Sequence, residues 1–157
     1  MTLKEKIEKL TVVEPEMIYS AIEYWHSDNE RFKSPFPDYI KETCGKEAVD
    51  KFIEWADTIP DDEAKKMEED IFLEKFEEIL FLCGSNLVKT EDEKLTLLYP
   101  FMPRIGDKMA KSPEESEKYG TITDRAIKKE GDHAFLEVKV KSENSDESWK
   151  TTFELPI

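Results

Sequence analysis

Basic residues are outnumbered in this 157-residue chain: 23 Lys and Arg stand against 37 Asp and Glu, a net charge of −14. Phosphate backbones and anionic lipid surfaces are gripped by clustered Lys and Arg, so nucleic acid and membrane surfaces are poor partners for it. No apolar run approaches the roughly 18 residues that a membrane-spanning helix needs. Two cysteines, Cys44 and Cys83, make no disulfide framework. Two histidines, His26 and His133, stand apart without zinc-ligand spacing, and both read as surface residues. The five glycines are scattered, so there is no glycine-rich loop to cradle a phosphate. These absences leave an expected soluble, cytoplasmic protein with no cofactor and no metal. Its first residues, Met1-Thr2-Leu3-Lys4-Glu5-Lys6, run straight into an amphipathic pattern rather than an apolar leader.

What is present is unevenly spread. Residues 1–88 carry −11 and residues 89–157 only −3. The apolar spacing changes at the same place. Asp61 to Cys83, between Pro60 and Gly84, has the punctuation of one long helix. Phe72, Phe76, Ile79, Leu80 and Cys83 share one of its faces; Asp70, Glu74 and Glu77 share the opposite one. Before it, Leu3–Leu10 and a segment from Pro15 (Ile18, Ala21, Ile22, Trp25) predict two helices, and His26–Phe36 predicts a loop. Pro37–Cys44, stopped by Gly45, and Glu47–Thr58 predict two more, with short connections that favour antiparallel neighbours.

After Gly84 the period falls to two. Leu87–Leu97 predicts a hairpin turning at Glu91-Asp92-Glu93. Tyr99-Pro100-Phe101-Met102-Pro103 carries too many prolines for a sheet interior. Gly120–Lys128, His133–Lys141 and Trp149–Leu155 predict three strands, with Ala134, Leu136, Val138 and Val140 inward. The expected fold is therefore α+β. An antiparallel helical half (1–88) packs through the long helix against a C-terminal antiparallel meander or small β-barrel (89–157), in one compact unit sharing a core.

In the C-terminal third, Arg104-Ile105-Gly106-Asp107-Lys108-Met109, then Tyr119-Gly120-Thr121-Ile122, then Phe135-Leu136-Glu137-Val138 and Trp149, resembles small β-barrels of the KOW, Tudor and Src-homology-three kind. That resemblance implies a compact five-stranded barrel whose loops bind peptides or nucleic acids. Two features depart from the pattern: this half is not basic, and no aromatic cage is visible in it beyond Tyr99, Phe101 and Trp149.

Candidate chemistry is thin. Asp70, Glu74, Glu77 and Glu78 lie about a turn apart and could share a hard cation in a metal-dependent hydrolase. A solvated acidic face accounts for them more simply. Cys83 sits among Leu and Phe, where a thiol is inert, and Cys44 is no better placed as a nucleophile. Two stretches carry the ring-and-arginine composition of recognition loops: Tyr99, Phe101, Arg104 and Asp107, and Arg31, Phe32 and Phe36 between helices. The leading expectation is a non-catalytic protein-interaction module, immunity-type or adaptor, meeting a protein partner of basic character. The alternative is the metal-dependent hydrolase. A second alternative is a nucleic-acid-contacting barrel using Lys128, Lys129, Lys139, Lys141 and Lys150.

Overall fold

The computed structural model describes residues 2–29, 33–112, 114 and 118–156. The fold is α+β, with helices α1 (Leu3–Glu8), α2 (Pro15–His26), α3 (Asp38–Asp57), α4 (Asp61–Ala64), α5 (Glu69–Leu87) and α6 (Glu91–Leu98). Strands β1 (Lys108–Ala110), β2 (Tyr119–Glu130), β3 (His133–Ser142) and β4 (Ser148–Glu154) follow. The chain divides into two compact units, Met1–Pro100 and Phe101–Ile157.

The first unit is organised on α3 and α5. Phe52 meets Phe76 edge-on (5.5 Å between centroids), Trp55 meets Phe72 (5.8 Å), and the Cys44 thiol donates to the Leu80 carbonyl (3.4 Å). Partners on α5 step backward as residues on α3 step forward, so the two helices are antiparallel. Phe52, Phe72, Phe76 and Leu80 are fully buried, as the apolar stripe requires. Burying one such side chain stabilises by about 1.5–3 kcal/mol. Ile7 of α1 and Ile18 of α2 close the same core.

Three expected boundaries move, each for a local reason. The long helix from Asp61 to Cys83 is two helices, because the N–H groups of Lys66 and Met67 bond back only three residues, to Glu63 and Ala64. That tight turn breaks the α-helical ladder. Gly45 and Gly84 do not stop helices; they lie inside α3 and α5 with negative φ. At Gly84 the reason is space: a Cβ there would stand 2.7 Å from the Phe36 ring. Finally, the hairpin expected over Leu87–Leu97 is helix α6. The Thr90 hydroxyl accepts from the Glu93 N–H (3.1 Å) and the Glu93 carboxylate accepts from the Thr90 N–H (3.0 Å). This reciprocal capping box turns Glu91-Asp92-Glu93 into a helical first turn, where acids complement the helix dipole. Residues 89–100 consequently belong with the helices rather than with the strands.

The second unit is an open, antiparallel four-stranded meander in the order β1-β2-β3-β4, so of the two expected arrangements it is not the closed barrel. Gly131, with φ +60, makes the β2–β3 turn that joins Glu130 to His133. Leu136, Val138 and Val140 are buried, as their alternation predicts. A bulge at Thr123 shifts the β2–β3 register between Ile122 and Asp124. The extra residue changes the parity of β2, so Ile122 before it and Arg125 after it are both buried. The Arg125 guanidinium donates to the Pro103 carbonyl (2.9 Å), which satisfies part of a charge the alternation alone did not place inside.

The two helical glycines make opposite predictions. A Cβ on Gly45 meets nothing within 4 Å, whereas one on Gly84 strikes Phe36. Gly45→Ala should stabilise by about 0.5–1 kcal/mol through lower unfolded-state entropy. Gly84→Ala should destabilise despite the same gain in propensity, because a close-packed core resists added volume. Urea melts of the two variants check this, and equal signs would contradict the packing described here.

Candidate partner-binding groove

A groove of about 490 Å³ opens on the helical unit, lined by Trp25 from α2, by Glu77, Glu78, Phe81, Leu82 and Ser85 from α5, and by Leu97, Leu98 and Pro100. The α5 residues recur at i, i+1, i+4, i+5 and i+8, so they form a second stripe beside the core-facing one. Leu82 and Leu98 are 58% and 62% exposed, and neighbouring Tyr24 is 51% exposed. Large aliphatic side chains held in water across two adjacent helices form the kind of patch that marks an interaction surface.

The floor is rigid. Trp25 meets Phe81 edge-on at 4.7 Å, and Phe81 meets Phe36 at 5.0 Å. The indole N–H of Trp25 donates to the Glu77 carboxylate at 2.5 Å, which fixes both ring and acid at the rim. Such a charge-assisted bond orients an aromatic anchor while leaving its face available. Glu78, on the same rim, faces Lys75 at 3.5 Å; both are on the helix surface, where such pairs contribute little.

The residues expected to carry function are dispersed relative to this groove. Of the acidic set, Glu77 and Glu78 line it, whereas Asp70 and Glu74 are exposed elsewhere on α5. Among the described residues, no group of three or more His, Cys, Asp or Glu is placed to hold a metal ion. Tyr99 closes α6 as its C-cap, donating its N–H to the Leu95 carbonyl, and is part-buried. Phe101, 73% exposed, opens the second unit. Arg104 and Asp107 build a turn: the Asp107 carboxylate accepts from the Arg104 N–H (2.8 Å), and the Asp107 N–H donates to the Arg104 carbonyl (3.0 Å). Arg31 and Phe32 lie outside the described residues.

Phe36 requires a correction. It is 2% exposed, so it anchors its loop in the core and presents no surface to a partner. Ser34 supports it, with the hydroxyl donating to the Trp25 carbonyl (2.5 Å) and accepting from the Phe36 N–H (3.2 Å). His26 also departs from the surface reading. Its ring packs on Phe36 at 4.8 Å and its buried Nε2 has no hydrogen-bond partner among the described residues. Burial, helped by the positive charge of Lys41, pushes its pKa down to about 4. Both cysteines are buried; burial pushes the Cys44 thiol up to about 12 and raises Cys83, so neither is a ready nucleophile at neutral pH.

Leu82, Leu98 and Phe81 went unnoticed as site residues. For Phe81 and Leu82 the signal was the unbroken run Ile79-Leu80-Phe81-Leu82-Cys83, too apolar for one buried face, which argued burial against more than one neighbour; Leu98 lies outside it. Comparison with known proteins adds nothing to the geometry: no family model, no curated protein and no solved structure matches the chain.

The His26 environment sets an acid sensitivity with a definite sign. The folded pKa lies below the ordinary 6.5, so the unfolded chain binds the proton more readily between those values. Stability is full above about pH 6.5 and falls as pH drops toward 4. The loss should be about 2 kcal/mol after discounting for a part-exposed ring. His26→Gln should lack this component, so denaturant melts of both proteins at pH 7, 5.5 and 4 should converge as the pH falls. Parallel curves would remove His26 from the account.

Proposed function

We propose that this chain is a non-catalytic protein-interaction module of the cytoplasm, whose helical unit receives a basic amphipathic helix in the groove between α2, α5 and α6. The observation that carries the reading is the pairing of exposed Leu82 and Leu98 with a rim of carboxylates, Glu77 and Glu78. An amphipathic helix lays its apolar face into such a groove and brings its flanking charges to the rim. Charge favours lysine and arginine on that helix, because residues 1–100 carry −12 of the chain's −14. Two buried cysteines left as free thiols suit a reducing compartment. An immunity-type or adaptor role fits the same surface.

Hydrolysis assisted by a metal is the weaker reading. Glu77 is engaged by Trp25 and Glu78 by Lys75, while Asp70 and Glu74 face water, so the four acids do not converge.

A synthetic amphipathic helix of leucine and lysine tests the proposal, with a leucine–glutamate helix as control. Calorimetric titration should give binding for the first and none for the second. Affinity should weaken as salt rises, since charges are screened beyond about 10 Å at 0.1 M. Leu82→Glu and Leu98→Glu should each weaken binding at least tenfold with the fold intact, because both side chains are exposed. Binding that ignores both substitutions would place the partner surface elsewhere.

A further inference from the structure

We infer that the free edge of β4 is a self-complementary surface, which pairs with β4 of a second copy of this chain to form a continuous eight-stranded sheet. The sheet is open, with the three-residue β1 at one edge and the seven-residue β4 at the other. Register fixes what that edge offers. The Leu155 N–H donates to the Ala134 carbonyl, and the Ser142 N–H to the Glu147 carbonyl, within the ladder that sets Glu154 opposite Phe135. Antiparallel ladders alternate, so Trp149, Thr151 and Phe153 spend their backbone bonds on β3. The N–H and C=O groups of Lys150, Thr152 and Glu154 therefore point away from the sheet, and all three residues are exposed.

A two-fold axis at Thr152 sets these groups against one another. Lys150 then lies opposite Glu154 of the second copy, Glu154 opposite its Lys150, and Thr152 opposite Thr152. Opposite charges directly across an antiparallel pair are favourable, and Thr–Thr is a common cross-strand pair. Shifting the axis to Thr151 would instead bring the two Lys150 side chains to diagonal positions, so charge selects the first register. Lys150 also faces Glu137 of β3 at 3.8 Å and Glu154 faces His133 of β3 at 3.4 Å, exposed contacts that are worth little and give way readily to a partner across the edge. Net charge argues for the same partner. Two copies of a chain at −14 repel, but residues 101–157 carry only −2, so the sheet is where they approach at least cost. A closed two-fold contact also removes an edge that would otherwise template open-ended pairing.

Sedimentation equilibrium of the full chain from micromolar to millimolar concentration tests this, with circular dichroism confirming that each variant is folded. A monomer–dimer equilibrium is expected. Thr152→Pro removes the central outward donor, at an edge position where proline is tolerated, and should weaken association at least tenfold. Lys150→Glu should do likewise by setting like charges opposite each other. The double exchange Lys150→Glu with Glu154→Lys should restore association to within a few-fold of the unaltered chain. A protein monomeric at millimolar concentration overturns the inference. So does a dimer indifferent to Thr152→Pro and Lys150→Glu, and so does a double exchange that fails to restore pairing.

Discussion

Phe52 against Phe76 and Trp55 against Phe72 lock α3 and α5 into an antiparallel pair, and the rest of the helical unit takes its position from that seam. With the core stripe of α5 committed to α3, its second stripe is left to face α2 and α6. Trp25 and Phe36 reach Phe81 from one side, and Leu97 from the other reaches the space over Gly84. The groove is thus a by-product of an unusually apolar helix: one face fills the core, and the neighbours do not fully cover the next.

Carboxylates at the rim owe their character to the same geometry. Glu77 is one turn before Phe81 on α5, close enough to the Trp25 ring to accept its N–H. An acid that reads as one of a solvated row in the sequence is therefore a structural tie between two helices. Row-mates Asp70 and Glu74 have no such neighbour among the described residues and are exposed. Spacing along one helix says which side chains share a face; it does not say which second helix meets that face.

How far the chain could be read in advance follows from this distinction. Periodic signals of local origin were legible: the stripe from Phe72 to Cys83 and the alternation Leu136–Val138–Val140 both stand where the pattern put them. Glycine was misleading at 45 and 84: a helix carries glycine at 84 to admit Phe36, and tolerates it at 45, where a Cβ would meet nothing within 4 Å. Thr90-Glu91-Asp92-Glu93 held its helix signal in plain view, a capping box obscured by the flanking β-like alternation. Phe36 could not be placed from the loop's composition, since what buries it is Phe81 and Gly84, nearly fifty residues along the chain, and His26 packs in turn on Phe36. The groove was legible only as an excess of apolar residues without a stated use.

The bulge at Thr123 has a bearing on how this chain can change length. One surplus residue there lets Ile122 and Arg125 turn to the same side of the sheet. Gaining one more residue at that point would carry Arg125 to the wet side and leave its contact with Pro103 unmade, though no side chain had been altered. The polar hairpin tip between Ser142 and Ser148 keeps no such phase. Insertions should therefore be absorbed at that tip and excluded from the middle of β2, a constraint on descent that comes from counting residues rather than from their chemistry.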